Sequence, residues 1–507
     1  PPFPIKKNKP MHLVQKSATI LSLCLFFQPS QGAEKGSPVT FSKDIAPIIF
    51  ESCTTCHRPG QIGPFSLTDY KTVKRRAKQI VEVTEERIMP PWHADPGDVV
   101  FSNDRSLTPQ QISLFADWVA AGSPEGDPSE TPPLPEFHGD WQIGKPDQIA
   151  TMVEPFTIPA EGRDIYRHFV IPLNLDQDTW VKGAEFLPGD PEVVHHILYF
   201  LDTTGKAREY DAEDTKPGFG MSKSNAGFRY IGGWDVGTQP SELPYGLRWL
   251  IPKGSDLVVQ IHYHPSGKET TDQSSVGFHF SDEPTSRPWS IIQIPPRFGE
   301  LQGIDIAAGD KEHLEKATFI IPEDCEAFAV NGHAHYLAKR MELTATFADG
   351  STRCLLRTTR WDFRWQEDYA FEEPVKLPAG TRLDVLISYD NSASNPNNPT
   401  IPPVGVRWGP STTDEMGSIT LAAMFDTQDQ KMATHEALRI FLVNQLIDRL
   451  MEGKFGGRNK QMVQARKLLQ ALDLNQDSQL SPSERIPATD FIRNSDFMKR
   501  FGAIGFD

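Results

Sequence analysis

Six of the 14 histidines in this 507-residue chain lie in three short apolar segments. They form the pairs His195 and His196, His262 and His264, and His333 and His335. Two imidazoles at positions i and i+2 of a strand project from the same side, so both can reach one metal ion. A partly buried polar pair is the alternative explanation for any one segment, but three such segments in one chain indicate metal binding.

A methionine adds a different kind of ligand. Met416 lies in Asp414-Glu415-Met416-Gly417, where polar residues rather than apolar core residues flank it. Imidazole suits copper and a thioether favours Cu(I), whereas zinc sites use Cys, His and carboxylate and seldom include Met. The residue types therefore predict copper, and they count against a zinc-dependent hydrolase.

In chain order, these motifs resemble those of the type II copper, ascorbate-dependent monooxygenases, the family of peptidylglycine alpha-hydroxylating and dopamine beta-monooxygenases. The similarity covers about residues 143–428 and includes the Ser-x-x-Asp-Glu-Met sequence that ends at Met416. The resemblance implies two copper sites with different ligands. The electron-transferring copper would be bound by His195, His196 and His262. The oxygen-activating copper would be bound by His333, His335 and Met416.

Two coppers fit the expected chemistry, because hydroxylating a C–H bond with O2 consumes two further electrons and one Cu(I) supplies only one. The family implies two all-β jelly-roll sandwich domains, at residues 143–290 and 291–428, with ascorbate or a redox protein as electron donor. The peptide-amidating branch holds its substrate with Arg, Asn and Tyr, at positions that carry Asn331, Ser418 and Thr420 here. We therefore expect a small organic substrate other than a peptide that ends in glycine.

Residues 38–128 carry Cys53-Thr54-Thr55-Cys56-His57, the pattern of covalently bound haem c. Cys53 and Cys56 would bind the haem vinyl groups, and His57 would bind the iron. A redox dithiol or half of a zinc site is the alternative, but no thioredoxin-like pattern and no second Cys/His pair lies nearby.

The surroundings of this motif resemble a small all-α class I cytochrome c. A helix is expected over residues 40–50, and a second one is expected to begin at Thr108 and Pro109. Such domains place a Met opposite the His, and Met89 is the candidate, with His93 as its rival.

The remaining segments are predicted from composition. Residues 1–33 combine a basic start, a short apolar run and small residues, which predicts a secretory signal peptide. Residues 129–142 form a Pro-rich linker. Residues 429–507 predict a helical tail with an EF-hand-like loop for one calcium ion, in which Ser478 replaces the usual Gly. The predicted calcium ligands are Asp473, Asn475, Asp477, Gln479 and Glu484.

Charge and hydropathy limit the partners. The net charge is −16 without a basic block beyond the N-terminus, which argues against nucleic acid. No second long apolar run follows the signal peptide, so we expect a periplasmic or extracellular protein without stable membrane insertion after cleavage. Cys325 and Cys354 could form one disulfide or stay as buried thiols.

Taken together, these features predict an exported copper-dependent monooxygenase with a tethered haem that supplies or relays electrons. The alternative is a non-catalytic copper and haem electron-transfer protein on the same scaffold.

Overall fold

The structure is a computed structural model. It describes residues 38–493 apart from 60, 62, 137–140, 221–227, 236–239, 453–459 and 475–479. The predicted signal peptide and three predicted calcium ligands, Asn475, Asp477 and Gln479, lie outside the described residues.

The helices in the described part are α1 (Ala46–Ser52), α2 (Tyr70–Glu85), α3 (Pro109–Ala120), α4 (Lys206–Ala212), α5 (Gln428–Glu452), α6 (Lys460–Leu472) and α7 (Pro482–Arg493). The strands are β1 (Gln148–Thr151), β2 (Phe156–Ile158), β3 (Ile165–Pro172), β4 (Thr179–Leu187), β5 (Val194–Asp202), β6 (Phe219–Gly220), β7 (Arg229–Asp235), β8 (Trp249–Ile251), β9 (Asp256–Tyr263), β10 (Thr270–Asp272), β11 (Ser275–Ser281), β12 (Trp289–Ile294), β13 (Asp305–Ile306), β14 (His313–Ile320), β15 (Cys325–Ala334), β16 (Ala338–Thr346), β17 (Thr352–Thr358), β18 (Asp368–Leu377), β19 (Arg382–Tyr389), β20 (Val406–Arg407) and β21 (Gly417–Met424).

The first three helices form a small unit. α2 begins after Asp69, whose carboxylate accepts the Thr72 N–H, and α3 begins with a capping box between Thr108 and Gln111. The predicted helices before Cys53 and after Thr108 are confirmed, whereas α2 was not among the predicted helices. The helices share a core that includes Phe41, Ile45, Ile49, Val73, Ile80, Phe115 and Trp118.

Strands from β1 to β11 build the first pair of sheets, apart from β2 and β10, which form a two-stranded sheet of their own. One sheet has the order β1-β11-β4-β8, and the other has the order β6-β3-β9-β5-β7. Alternate residues from both sheets, such as Val181 and Leu257, fill the core between them, as expected for antiparallel sheets packed face to face. All eight residues of β9 are buried, so this strand is covered on both faces.

The second pair of sheets begins with β12. Its sheets have the orders β12-β21-β15-β18 and β14-β19-β16-β17, and a second large apolar core lies between them. The predicted hairpin around residues 341–357 is confirmed as the β16 and β17 pair. The prediction of a β-rich centre with helical segments at both ends is therefore confirmed.

The C-terminal helices pack on this second pair of sheets. α5 confirms the predicted amphipathic helix, and its Leu438 lies in the core of the sheets. Phe441 of α5 also contacts Phe319 of β14, with ring centroids 5.9 Å apart. Further along, α5 shares an apolar cluster with Leu469, Leu480 and Ala488.

Residues 92–105 leave the helical unit and lie against the second pair of sheets. Phe101 forms a β-bridge with Phe371, and the Ser102 N–H donates to the Ala370 carbonyl oxygen at 2.8 Å. The Glu372 N–H donates back to a carbonyl oxygen of the same segment at 2.9 Å. β18 is the edge strand of its sheet, so this segment covers backbone groups that would otherwise be unpaired.

Candidate metal centres

The three histidines of the first centre lie on neighbouring strands. His195 and His196 are on β5, and His262 is on β9, opposite His196 in the antiparallel register. Adjacent residues of a regular strand project to opposite faces. Here the register shifts between Val194 and His196, and this bulge lets both adjacent imidazoles reach the same point.

The ring nitrogens of this centre have the spacing of metal ligands. One nitrogen from each of the three rings lies within 4.8 Å of the others. His196 Nδ1 is 3.1 Å from His195 Nδ1 and 3.3 Å from His262 Nδ1. Nitrogens bound about 2.0 Å from one ion in tetrahedral geometry lie roughly 3.3 Å apart. The three rings therefore fit one metal ion.

Asp164 decides which nitrogen of His262 is free. His262 Nε2 donates to Asp164 Oδ2 at 2.9 Å, since a carboxylate oxygen can only accept, so Nδ1 keeps its lone pair. Tyr166 stacks on the same ring at 4.2 Å. Asp164 also accepts a hydrogen bond from Thr412 at 3.1 Å and contacts the exposed His264 at 2.8 Å. His264 therefore lies on the carboxylate side of His262.

Burial keeps two imidazoles of the first centre, those of His195 and His196, neutral. Burial, with the neighbouring His262, lowers the pKa of His195 to about 4 and holds the pKa of His196 well below its ordinary value. Neutral imidazole is the form that binds a metal ion, so little proton displacement would accompany binding at neutral pH.

The second centre lies where β15 ends. The rings of His333 and His335 are 5.5 Å apart. His333 Nδ1 donates to Gln366 Oε1 at 2.7 Å, and His335 Nδ1 donates to the Asp414 carbonyl oxygen at 3.1 Å. Both bonds leave Nε2 free for a metal ion. Burial lowers the pKa of His333 to about 4 and that of His335 to about 3.

The predicted thioether ligand lies at the start of β21. Gly417 pairs with Ala334, so the register places Met416 beside His335 at the ends of the two strands. The Tyr389 hydroxyl donates to the Met416 carbonyl oxygen at 3.0 Å. The backbone therefore brings the three predicted ligands of the second centre to one strand end.

Glu415 joins the two parts of the second centre. Its carboxylate is fully buried and accepts backbone N–H groups of His335 and Met416 at 2.5 and 2.9 Å. A third N–H, that of Leu337, donates to the same carboxylate at 3.0 Å. This side chain therefore fixes the His-x-His segment relative to the methionine segment.

One aromatic ring separates the two centres. Phe363 stacks on His195 with centroids 5.2 Å apart and meets His335 edge-on at 5.5 Å. The bond from Thr412 to Asp164 links the same two regions, because Thr412 precedes Met416 and Asp164 holds His262. The two centres are thus close neighbours across the two pairs of sheets.

The predicted haem motif follows α1. His57 Nδ1 donates to the Phe65 carbonyl oxygen at 3.1 Å, which leaves Nε2 free for iron. Cys53 and Cys56 are free thiols, and burial raises the pKa of both, that of Cys53 to about 12. Redox dithiols have lowered pKa values, so the raised pKa of these two thiols counts against a redox dithiol.

The two candidates for the second haem ligand have different surroundings. Met89 follows α2 and is 38% exposed. His93 lies against the second pair of sheets, where Asp362 and the backbone of Trp365 act on its ring. Met89 as the second haem ligand stays a prediction, and so does its rival His93.

The two ends of the predicted calcium loop lie within the described residues. Glu484 accepts the N–H groups of Leu474 and Ser481, both at 2.8 Å, and thereby closes the loop. Asp473 is buried as well. Calcium binding stays a prediction.

Cys325 and Cys354 are buried free thiols. They lie on β15 and β17, and of the two alternatives the structure shows the buried thiols and not the disulfide.

Four residues that organise the two centres were not predicted: Asp164, Phe363, Gln366 and Glu415. Glu415 carries a sequence signal, because it stands inside the Asp-Glu-Met motif. The other three are distant in sequence from the histidines that they contact. Only the pairing of the strands and the approach of the sheets brings them together.

No family model and no curated protein matches this chain. Solved structures with some likeness include PNGF-II in its P21 space group, with 10% identity over 55% of this chain and 66% of that one and a TM-score of 0.24. The chain thus spans just under two thirds of PNGF-II. A peptide-N(4)-(N-acetyl-beta-D-glucosaminyl) asparagine amidase has 10% identity over 55% and 97% of the two chains, with a TM-score of 0.26. The VP2 subviral particle of infectious bursal disease virus has 12% identity over 58% and 74%, with a TM-score of 0.17. Likeness at these TM-scores carries no argument.

None of the helices in the described part of the chain combines the length and the hydropathy needed to cross a membrane.

Proposed function

We propose that this chain is an exported, copper-dependent monooxygenase of the type II, ascorbate-dependent class, which hydroxylates a C–H bond of a small organic substrate. The observation that carries this proposal is the convergence of one nitrogen each from His195, His196 and His262 to within 4.8 Å. The second pair, His333 and His335, lies one phenyl ring away and leaves its Nε2 atoms free. Two unlike centres at this separation suit a two-electron oxidation.

The overall reaction converts a substrate RH, O2, two electrons and two protons into ROH and water. Bound copper would supply the one-electron redox chemistry and the activation of O2. The protein fixes the free nitrogen of His262, His333 and His335 through Asp164, Gln366 and the Asp414 carbonyl oxygen. Two imidazoles and one thioether leave part of the coordination sphere of the second centre open for O2.

The helical unit is proposed to be a class I cytochrome c domain at residues 38–128. Its haem would be attached at Cys53 and Cys56, with His57 and Met89 as axial ligands. The geometry of His57 supports this, because its Nδ1 is already bonded and its Nε2 is free. A Met ligand raises the reduction potential, which suits electron transfer. Ascorbate or a redox protein would reduce the haem or the coppers.

The residues beside the second centre count against a peptide substrate. The Asn331 amide donates to the Glu367 carbonyl oxygen at 3.0 Å, and Ser418 is fully buried. These side chains are engaged or enclosed within the protein, so a clamp for a peptide carboxylate is not built from them. The proposed substrate is therefore a small molecule held by other contacts.

Metal analysis and oxygen uptake together test the proposal. The purified full chain should contain two coppers and one haem, and a substrate library should reveal O2 consumption that depends on substrate and reductant. Copper and haem without any substrate-dependent O2 uptake would favour the non-catalytic electron-transfer protein. Zinc in place of copper would overturn both the monooxygenase and the electron-transfer protein, since zinc does not change its oxidation state.

A further inference from the structure

Residues 361–367, here called the junction segment, connect β17 to β18 and run past both metal centres. The Trp361 indole N–H donates to the His335 carbonyl oxygen at 3.0 Å, and Gln366 accepts the Nδ1–H of His333 at 2.7 Å. Phe363 lies between His335 and the first centre. The junction segment therefore holds the second centre by three separate contacts.

The other side of the junction segment contacts the chain that follows the haem motif. Arg105 forms a salt bridge with Glu367, which is only 4% exposed, and its guanidinium lies 5.6 Å from the centre of the Trp365 ring. Arg105 also donates to the Pro91 carbonyl oxygen at 3.0 Å. Its charge acts on Cys56, against the effect of burial on the pKa of that thiol. Arg105 thus links the segment that follows the haem motif to the junction segment.

We propose that the junction segment carries electrons from the haem domain directly to the centre of His333, His335 and Met416. This inference rests on the proposed function and names the first electron acceptor within it. The route leaves the segment after the haem motif at Arg105, and it continues through the salt bridge to Glu367, one peptide link to Gln366 and one hydrogen bond to His333. The three-histidine centre meets the segment through ring stacking on Phe363.

The electrons balance in each transfer. One electron leaves the ferrous haem, which becomes ferric, and converts one Cu(II) to Cu(I) at the second centre. No bond forms or breaks, and no proton moves. The three-histidine centre would hold the second electron of a turnover, and ascorbate or a redox protein would reduce both this centre and the haem again.

The test uses the full chain with its haem and copper, without O2 or substrate. A photochemical flash reduces the haem, absorbance follows its re-oxidation, and freeze-quench EPR shows which Cu(II) signal disappears. The two centres differ in donor set, so their signals differ. The variants His262→Ala and His335→Ala, each checked for one remaining copper, assign the signals. We expect the signal of the second centre to disappear at the rate of haem re-oxidation.

Two variants address the junction segment itself. Gln366→Leu removes the hydrogen bond to His333 that ends the route. It should slow haem re-oxidation about tenfold or more, which is the size of effect seen when other hydrogen-bond partners of metal ligands are removed. Glu367→Gln changes fewer atoms, keeps its shape and should slow the same step. Glu326→Gln is the matched control, because Glu326 forms a salt bridge with Arg287 elsewhere on the same pair of sheets.

The outcomes separate this inference from the proposed function. Two results overturn the route in a protein with full haem and copper contents. One is that the Cu(II) signal of the three-histidine centre disappears first, and the other is an unchanged rate of haem re-oxidation in both Gln366→Leu and Glu367→Gln. A protein without haem or without copper overturns the proposed function itself and the route with it. Those contents are measured before any flash.

Discussion

Hydrogen-bond partners decide which nitrogen each histidine offers. At the first centre the carboxylate of Asp164 accepts a hydrogen bond from the Nε2–H of His262, so Nδ1 faces the other two rings. At the second centre Gln366 and the Asp414 carbonyl oxygen accept hydrogen bonds from the Nδ1–H groups of His333 and His335, so Nε2 is free in both rings. The same residue type thus serves two sites through different atoms. If the two sites bind copper as proposed, these partners should matter as much as the ligands themselves.

Asp164→Ala is expected to weaken copper binding at the three-histidine centre about 10- to 100-fold, because His262 loses the acceptor that fixes its tautomer. Chelator competition monitored by EPR measures this affinity. Asp178→Ala is a suitable control, since Asp178 accepts the Lys253 N–H elsewhere on the same pair of sheets. Equal copper affinities in the two variants would show that Asp164 does not orient the ring.

Met416→Ala is expected to abolish hydroxylation more completely than it abolishes copper binding. The two imidazoles of His333 and His335 remain to hold an ion, but the soft ligand that favours Cu(I) is gone. Copper content and substrate-dependent O2 uptake, measured on the same preparation, give the comparison. Full hydroxylase activity in this variant would remove Met416 from the site.

At the scale of the elements, the sequence predicted most strands near the histidines but not their register. The apolar runs around residues 194–201 and 257–262 correspond to β5 and β9. Simple alternation would place His195 and His196 on opposite faces. The bulge that prevents this depends on how β5 pairs with β9, and pairing between distant segments is not encoded in either segment alone. The ligand types could therefore be predicted, while their convergence could not.

Gly417→Ala is expected to destabilise the second pair of sheets by about 1–3 kcal/mol through overpacking. A Cβ at Gly417 would collide with the Tyr389 hydroxyl and come within 2.9 Å of Ile387. The shift would also break the bond from Tyr389 to the Met416 carbonyl oxygen. Denaturant unfolding measures the loss. Gly405→Ala is the control, because its nearest neighbour would be 3.9 Å away, and an equal loss there would contradict the argument.

His168 gives β3 a dependence on pH. It is 1% exposed, lies 2.8 Å from Gln260 Nε2, and burial lowers its pKa to about 4 from 6.5. As the pH falls, His168 becomes protonated in the unfolded chain before it does so in the folded protein. Its contribution to the free energy of unfolding is therefore complete above about pH 6.5 and is lost as the pH falls toward about 4.

His168→Gln should therefore reduce the difference in unfolding free energy between pH 7.5 and pH 4.5 by about 2 kcal/mol. Denaturant unfolding of the metal-free protein at the two pH values measures it. His313→Gln, at a half-buried position on β14, is the comparison. A difference that stays the same in His168→Gln would show that another group causes the pH dependence.

At the scale of the whole molecule, the haem motif and the metal centres share one continuous structure. The sequence predicted separate modules, and the Pro-rich composition of residues 129–142 predicted the linker between them. It did not indicate that residues 92–105, which come before that linker, extend the sheet of β18 and place Trp92 and Phe101 in the second apolar core. Backbone pairing at a sheet edge needs no particular side chains, so composition carries little sign of it.

Phe101→Ala tests whether this segment contributes to the second pair of sheets. The Phe101 ring stacks on Phe371 at 5.6 Å and contacts Tyr369 at 5.3 Å, and its removal should cost about 3 kcal/mol. Because the segment covers an edge strand, the loss should appear as faster amide hydrogen exchange in β18. Leu107→Ala, in the core of the helical unit, should instead speed exchange in α2 and α3. Unchanged amide exchange of β18 in Phe101→Ala would show that the helical unit is not anchored through this strand edge. The contact of Arg105 with Glu367 would then have to hold the helical unit against the second pair of sheets.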